Sequence, residues 1–475
     1  AQADPAGAAA AAVTITASDL RVHIATLAHD SMRGRDTPSP ELEQTARYVA
    51  ERFRSYGLLP GNGDSYLQTY PLTLVRPGPR SAQSLSLRGP EGERTLDAGE
   101  FIALPLGPSL RGEGALALLA SLDDADDLTG RIALVHVERR ELGDALRRVR
   151  GLVDRGANGA VLVLDATEDY FAGLRRFFGG ERLSLGEPDA LDAPVILVRD
   201  VSLPETLRSA LAAGSPPPAG YGATLRSHAD VRREVGVNTV GWIEGSDPAR
   251  REEYIVFTAH MDHVGVGRPV AGDSVYNGAD DDASGTSAVI ELAEAFASLE
   301  TPPRRSLVFL TVSGEEKGLF GSRWYAEHAL FPLEETVANV NIDMIGRNWR
   351  DTVVAVGKQE STLGPTVDRI AAERAELGLA VIDDPWPEEQ FYFRSDHVNF
   401  ARKGVPILFL FSGTHDDYHR PSDEPDRILY EKTSRIARLV FWLGLEIADA
   451  PGRPRWDPDA YRRVVEDGST SGGGD

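Results

Sequence analysis

The stretch YIVFTAHMDH, at residues 254–263, decides the fold that we predict for this chain. Its first five residues are mostly apolar, as in strands that are buried on both faces of a parallel sheet. Similar segments lie at residues 306–312, 337–342 and 405–411, and residues 286–299 carry apolar side chains at helical spacing. This alternation predicts an α/β fold with a mixed, mostly parallel sheet flanked by helices.

Histidines and carboxylates follow each strand-type segment, at the sheet edge where α/β proteins bind their ligands. In chain order they are His260, the acidic run at 280–282, the pair Glu315 and Glu316, Asp343, and His419. Each alone is typical of an ordinary surface, but carboxylates crowded into one crevice repel one another unless cations neutralise them. Because imidazole and carboxylate suit zinc and the chain has no cysteine, the pattern predicts a catalytic zinc site.

The bulk composition narrows the classes of function. The chain has 475 residues, of which 41% are hydrophobic and 26% charged, which is typical of a globular protein with one large and one smaller domain. The formal charge of −23 argues against nucleic acid or an anionic membrane as a partner. No apolar run approaches the ~20 residues that span a bilayer. No feature of the sequence indicates an oligomeric state.

Six motifs resemble, in order and spacing, the signatures of the M28 family of metallopeptidases, which includes bacterial leucyl aminopeptidase and glutamate carboxypeptidase II. They span residues 258–428 and read TAHMDHVG, NGADDDASG, SGEEKGLFGS, NIDMIGR, FRSDH and DDYHRPSDEPDRI. The segment LAHDSMRGRDTPSPELEQTARYVAERFRSYGL, at 27–58, is similar to the first helical region of that family. The resemblance therefore covers most of the chain and implies the zinc exopeptidase fold.

The resemblance also implies two Zn²⁺ ions held by five residues. His260 and Asp343 would bind one ion, Glu316 and His419 the other, and Asp281 would bridge both. We choose Asp281 within the acidic run because the family pattern reads Gly-Ala-any-Asp before Ser-Gly. The family often has a cis peptide bond directly after this aspartate.

Catalytic roles follow from the same resemblance. Glu315 would be the general base that takes a proton from the attacking water, and Asp262 would fix the ring of His260. Tyr418 would hydrogen-bond the developing oxyanion, although simple packing beside a ligand explains its position equally well. The substrate would contact Phe391, Phe393, Arg394 and Asp396, although a core position fits at least one of the aromatic residues here.

We therefore expect an aminopeptidase that hydrolyses N-terminal peptide bonds of a peptide substrate with metal-activated water. A carboxypeptidase or dipeptidase of the same family is the main alternative. A glutaminyl cyclase is a further one, although the intact Glu315-Glu316 pair favours peptide hydrolysis. A receptor-like ectodomain without catalysis is a rival of another class, and the complete ligand set argues against it.

The domain prediction places disordered tails at 1–15 and 457–475 and the catalytic domain at 16–100 and 226–456. Between its two parts, 101–225 contains the phrase DLTGRIALVHV and, further on, GLVDRGANGAVLVL, which resemble the protease-associated domain, a small β-rich insertion. The chain starts with AQAD and an Ala-rich stretch, which is typical of a protein whose signal peptide has been removed. We expect a secreted or periplasmic location.

Overall fold

The computed structural model describes residues 4–124, 127–187, 191–216 and 219–468, and within them the chain forms two compact units. The larger unit contains the described residues up to Tyr70 and those from Val235 onward. The smaller unit is Pro71–Glu234. None of the helices in these residues combines the length and the apolar character that a membrane crossing requires.

The described residues form thirteen α-helices and twenty strands, besides ten short 3-10 and π-helical segments. The helices are α1 (Pro5–Ala12), α2 (Ala17–Leu27), α3 (Pro40–Ser55), α4 (Leu142–Arg148), α5 (Arg150–Asp154), α6 (Glu168–Gly179), α7 (Glu205–Ala212), α8 (Ala283–Ala297), α9 (Phe320–Glu327), α10 (Leu363–Glu373), α11 (His397–Ala401), α12 (Tyr430–Asp449) and α13 (Pro458–Tyr461). The strands are β1 (Leu59–Pro60), β2 (Leu67–Pro77), β3 (Ser84–Gly89), β4 (Gly92–Thr95), β5 (Phe101–Ala103), β6 (Leu110–Leu119), β7 (Arg131–Val137), β8 (Gly159–Leu164), β9 (Arg182–Leu185), β10 (Val195–Arg199), β11 (Gly222–Ser227), β12 (Ala229–Ile243), β13 (Tyr254–His260), β14 (Val266–Val270), β15 (Asp273–Val275), β16 (Ser306–Val312), β17 (Thr336–Ile342), β18 (Thr352–Val356), β19 (Ala380–Ile382) and β20 (Ile407–Phe411).

Four parallel strands form the centre of the sheet in the larger unit. Strand β13 lies between β16 and β17 and is parallel to both, and β17 pairs in parallel with β20. Every residue of these four strands is buried, as expected for strands covered on both faces. Strands β12 and β18 extend the sheet with antiparallel pairings. The predicted mixed, mostly parallel α/β fold is confirmed.

Helix α8 covers this sheet and corresponds to the helix predicted at 286–299. It begins at Ala283, where the Asp282 carboxylate accepts a hydrogen bond from the Gly285 N–H at 2.8 Å. Its Phe296 stacks on Phe257 of β13 with ring centroids 5.7 Å apart. The start of the helix lies close to the end of β13, because the His260 N–H donates to Asp282 Oδ2 at 3.2 Å and the Thr286 hydroxyl donates to the His260 carbonyl oxygen at 2.7 Å.

The smaller unit is built on an eight-stranded sheet with the order β4-β3-β11-β6-β7-β8-β10-β5. Strands β6, β7, β8 and β10 are parallel neighbours. Successive residues of β8 point to opposite faces, so Val161 and Leu162 belong to two separate apolar clusters. The two phrases that resemble a protease-associated domain contribute β7 and β8, and the identification with that domain stays a prediction.

The boundaries between the two units differ from the domain boundaries that the sequence analysis predicted. The smaller unit spans Pro71–Glu234 instead of 101–225. Its additional N-terminal part contains β3 and β4, which join the sheet because β3 pairs antiparallel with β11. This pairing links segments far apart in sequence, and the local pattern of residues 71–100 does not indicate it.

The disordered tails predicted at 1–15 and 457–475 are wrong for residues 4–15 and 457–468. Helix α1 is capped by Asp4, and its buried face of Ala8, Ala11 and Ala12 joins the main core together with Ile15. At the other end Asp457 caps α13, and Val464 is buried. Small side chains can pack closely against a helix, so low-complexity composition does not exclude order here. Residues 1–3 and 469–475 lie outside the described residues.

Candidate metal centre

Two groups of potential metal ligands meet at the carboxyl edge of the central sheet. The first consists of His260, Asp281 and Asp343. The second consists of Asp281, Glu316, His419 and, in addition, His263. Within each group the ligand atoms all lie within 4.8 Å of one another. The structure thus brings together the five predicted ligands, with Asp281 common to both groups, and adds one histidine.

The first group lies at the ends of two parallel strands. His260 is the last residue of β13, and Asp343 follows β17 directly. The Nε2 atom of His260 is 3.2 Å from Asp281 Oδ1 and 3.6 Å from Asp343 Oδ1. Three side chains from three separate segments therefore face one point.

The second group faces the other oxygen of Asp281. The Nε2 atom of His419 is 3.2 Å from Asp281 Oδ2 and 3.0 Å from Glu316 Oε2. His263, to which the sequence analysis gave no role, places its Nδ1 2.9 Å from Glu316 Oε1. The signal available in the sequence was its position three residues after His260, because both histidines lie at the end of the same strand.

Many of these atoms have no hydrogen-bond partner in the described part of the chain. They are His263 Nδ1 and Nε2, Asp281 Oδ2, Glu316 Oε1, Asp343 Oδ1 and His419 Nε2. Buried polar atoms are normally paired, so a set of unpaired atoms that face common points indicates a missing partner. Divalent cations satisfy such carboxylate and imidazole groups. The residues present therefore fit two metal sites.

The titration of the site reflects the same crowding. Burial alone would lower the pKa of His260, but Glu315 and Asp343 raise it well above the usual value. Burial would likewise lower the pKa of His419, but Asp281 and Glu316 raise it to about 10. Burial would raise the pKa of Asp281, which the neighbouring histidines, His263 first, hold well below its usual range. Metal binding would require neutral imidazoles and ionised carboxylates, so it would release protons from the histidines.

The three aspartates of the acidic run point in different directions. Asp281 faces both ligand groups. Asp280 accepts a hydrogen bond from the Gly346 N–H at 2.6 Å and lies beside His415. Asp282 caps α8. The bond between Asp281 and Asp282 is cis, as the resemblance implied.

Comparison with known proteins places these residues in a family. Residues 238–443 match the sequence profile described as peptidase family M28. Residues 238–443 are an M28 peptidase domain. The chain is 26% identical over 243 residues to aminopeptidase YwaD of Bacillus subtilis, and this alignment covers 49% of each chain. It is 25% identical over 217 residues to leucine aminopeptidase 1 of Penicillium rubens, covering 43% of this chain and 55% of that protein.

A further relative is a probable zinc metalloprotease of Pyrenophora tritici-repentis, 26% identical over 224 residues, or 38% of this chain and 45% of that protein. The matched stretches thus span about half the length of these curated relatives. Among solved structures, an aminopeptidase from Aneurinibacillus sp. strain AM-1 superimposes with a TM-score of 0.51 at 20% identity, covering 94% of this chain and 97% of that one. This likeness supports the fold.

Asp262 of the M28 domain connects the first ligand group to Glu315. Its backbone carbonyl lies 3.1 Å from His260 Nδ1, and its carboxylate oxygen Oδ1 lies 3.7 Å from the same nitrogen. That oxygen also accepts a hydrogen bond from the Glu315 N–H at 3.3 Å, while Thr37 donates to Oδ2 at 2.9 Å. One buried carboxylate therefore orients a ligand and the predicted base together.

Asp343 is held by a chain of buried hydrogen bonds that runs across the sheet. Ser395 donates to Asp343 Oδ2 at 2.7 Å and accepts from the Asn341 amide at 2.9 Å. Thr258 of β13 donates to Asn341 Oδ1 at 2.7 Å. This network occupies one oxygen of Asp343 and leaves Oδ1 directed at His260.

The predicted substrate residues fall into two sets. Phe391 and Arg394 line a pocket together with His260, Asp281 and Glu315. Phe393 does not line this pocket, is 42% exposed, and contacts the ring of Tyr392. Asp396 is fully buried, does not line the pocket either, and burial raises its pKa to about 7.

Arg35 connects the loops that carry the predicted ligands through hydrogen bonds to their backbone. Its guanidinium is buried and donates to the carbonyl oxygens of Met261, Asn277, Gly278 and Leu27 at 2.7–3.0 Å. Met261 follows His260, and residues 277 and 278 precede the acidic run. The planar guanidinium with its five donors suits this role, which the single ammonium group of lysine would not fill.

We predict that Arg35→Met lowers the free energy of unfolding of the M28 domain by about 3 kcal/mol or more, because several buried carbonyl groups lose their donors. All six tryptophans lie in the larger unit, so urea unfolding followed by tryptophan fluorescence reports on it. The matched control is Arg33→Met, whose side chain is 59% exposed and should change stability by no more than about 0.5 kcal/mol. Equal stability of the two variants would contradict the role of Arg35.

We also predict that Asp281→Ala loses tightly bound metal from both sites, because the two ligand groups share this carboxylate. Zinc content per chain, measured by elemental analysis after gel filtration, tests this. Asp416→Ala, in the exposed loop before His419, is the control and should keep the wild-type content. Two retained ions in Asp281→Ala would point to Asp280 or Asp282 instead.

Proposed function

We propose that the chain is a metallo-aminopeptidase that holds two Zn²⁺ ions and hydrolyses the N-terminal peptide bond of peptide substrates. The observation that carries the proposal is the meeting of two ligand groups on Asp281, next to Glu315 in one pocket. The relatives named above, two aminopeptidases and a probable zinc metalloprotease, support the same activity and the same metal.

His260, Asp281 and Asp343 would hold one zinc ion, and Asp281, Glu316 and His419 the other. Bound zinc would lower the pKa of water and polarise a carbonyl group. Carboxylate and imidazole ligands without thiolate are the donor set of catalytic zinc sites. The same residues explain why the crevice tolerates so many carboxylates, because the ions would balance their charge.

The charged side chains of the pocket do not favour a substrate that is recognised by its C-terminal carboxylate. The acidic ones, Asp281, Asp343 and Glu315, have the metal-binding and proton-transfer roles proposed here. Among the described residues that line it, Arg394 is the only arginine, and its Nη1 is paired with Glu389 Oε2 at 3.1 Å. A C-terminal carboxylate would therefore find no unpaired arginine there. This argues against the carboxypeptidase alternative.

The pocket also has an apolar part, which suits the side chain of the first substrate residue. It is formed by Met344, Phe391, Phe409 and Phe411, which line the pocket and belong to one apolar cluster. The rings of Phe391 and Phe411 lie 4.9 Å apart in a tilted arrangement. Apolar N-terminal residues should therefore be preferred to charged ones.

Glu315 would act as the general base. It lines the pocket, and burial raises its pKa well above the usual range of a glutamate. A carboxylate with a raised pKa is a better proton acceptor near neutral pH. Glu315 would take a proton from the attacking water and pass it to the leaving amine. Its backbone N–H is fixed by Asp262, which limits movement of the base.

Tyr418 would donate its phenolic hydrogen to the developing oxyanion. It lines the pocket, and its ring stacks on His419 with the centroids 3.9 Å apart. Burial raises the pKa of Tyr418, which keeps the hydroxyl protonated and able to donate.

The substrate preference can be tested with one tripeptide, Leu-Gly-Gly, in free, N-acetylated and C-terminally amidated forms. We expect zinc-loaded protein to release leucine from the free and the amidated peptide. Acetylation should lower kcat/KM by about 100-fold or more, because a site that binds a free N-terminal amine rejects a substrate in which that amine is blocked. If amidation abolishes cleavage and acetylation does not, the activity is that of a carboxypeptidase. Loss with either modification would indicate a dipeptidase-like requirement for both ends.

A second prediction tests the base. Glu315→Gln should keep the wild-type zinc content and lower kcat by about 10²–10⁴-fold, because the amide cannot accept the proton. Glu327→Gln on α9, an exposed glutamate of the same domain, is the control. Activity of Glu315→Gln within a few-fold of wild type, with both ions bound, would show that the role assigned to Glu315 is wrong.

A further inference from the structure

His263 is a buried histidine that neither the mechanism nor the five-ligand scheme uses. Its side chain is 0% exposed. Neither ring nitrogen has a hydrogen-bond partner among the described residues. A fully buried imidazole usually satisfies at least one nitrogen, so this ring lacks the partner that would explain its burial.

The surroundings of the ring indicate what the partner is. His263 Nδ1 lies 2.9 Å from Glu316 Oε1 and 3.6 Å from Asp281 Oδ2. The short contact with Glu316 lacks the alignment of a hydrogen bond, and the same is true of His419 Nε2 and Glu316. Atoms that approach closely without pointing at one another can point at a common centre. This is the arrangement of ligands around a cation.

The backbone at Gly278 leaves room for the imidazole ring of His263. Gly278 has φ +58°, and a Cβ atom there would lie 2.5 Å from Cγ of His263. The His263 N–H donates to the carbonyl oxygen of Arg35 at 3.3 Å, and the Arg35 guanidinium donates to the Gly278 carbonyl at 3.0 Å. The imidazole ring therefore occupies a space that exists only because residue 278 is a glycine. Hydrogen bonds through Arg35 connect the backbone segments on either side of the ring.

We propose that His263 is a fourth protein ligand, through Nδ1, of the ion held by Asp281, Glu316 and His419. The inference rests on the proposed function only in assuming that the site binds zinc. It makes the two sites unequal, with four protein ligands on one side of Asp281 and three on the other. A site with four protein ligands holds its ion tightly, whereas a site with three keeps a position for water or substrate. The open position would then belong to the site of His260 and Asp343.

The experiment measures both dissociation constants. Wild-type protein, His263→Ala, His260→Ala and the double variant are dialysed in zinc buffers of graded free concentration, and bound zinc per chain is determined by elemental analysis. Wild type should take up two ions in two separate steps. His260→Ala should lose the weaker step. His263→Ala should weaken the tighter step by more than the about 10–100-fold that the loss of an outer hydrogen-bond partner costs.

A spectroscopic measurement separates a ligand from a residue that only orients Glu316. In the His260→Ala background, one equivalent of Co²⁺ reports on the four-residue site through its visible absorption. Replacing His263 by alanine should change the band positions and intensities. The control is His23→Ala, which removes another buried imidazole, on α2. It should leave the band positions and intensities unchanged. His263→Asn replaces the alanine variant if that variant fails to fold.

Two results would overturn the proposal: a loss of zinc affinity smaller than about 100-fold in a folded His263 variant, or an unchanged cobalt spectrum. Failure of the proposed function is distinguishable from either. Wild-type protein that takes up zinc in two steps but cleaves no aminoacyl substrate contradicts the aminopeptidase activity and leaves the comparison of His263 variants valid.

Discussion

The carboxylate of Asp281 is the constraint on which the rest of the site depends. One of its oxygens lies 3.2 Å from His260 and the other 3.2 Å from His419, so a single side chain belongs to two charge clusters. Its backbone N–H is fixed by Asp423 Oδ2 at 3.1 Å. A change in the charge or position of this carboxylate therefore acts on both clusters. Whatever cations bind here, their positions are coupled through this residue.

The fold positions the proposed ligands by two different means. Parallel strands β13 and β17 end at the same edge, so His260 and Asp343 become neighbours through sheet geometry alone. Asp281 and His263 lie in loops, where no ladder fixes their positions. In these loops the backbone is held instead by the Asp282 side chain, which caps α8, and by the Arg35 guanidinium, which donates hydrogen bonds to backbone carbonyl oxygens. The buried guanidinium of Arg35 therefore stabilises the site, although Arg35 is not one of the proposed ligands.

The sequence predicted the features that depend on local pattern. Apolar runs identified the central strands and α8, and polar residues at their ends identified the predicted ligands. His263 was missed because a loop has no periodicity that tells where a side chain points. Helix α1 was missed because its alanines resemble low complexity, while their burial depends on distant partners. The boundary at Pro71 depends on pairing between β3 and β11, which lie more than a hundred residues apart.

Glu315 and Glu316 illustrate how environment separates two identical neighbours. Burial and Asp281 would raise the pKa of Glu316, but His263 and His419 lower it overall, which suits the ionised carboxylate that the proposed ligand role requires. For Glu315, burial outweighs the opposing charge of His260 and raises the pKa well above the usual range. Pairs of carboxylates whose surroundings drive their pKa values apart are the ones that divide acid–base and electrostatic roles. The histidines that complete the second ligand group therefore also determine which glutamate remains free to carry a proton.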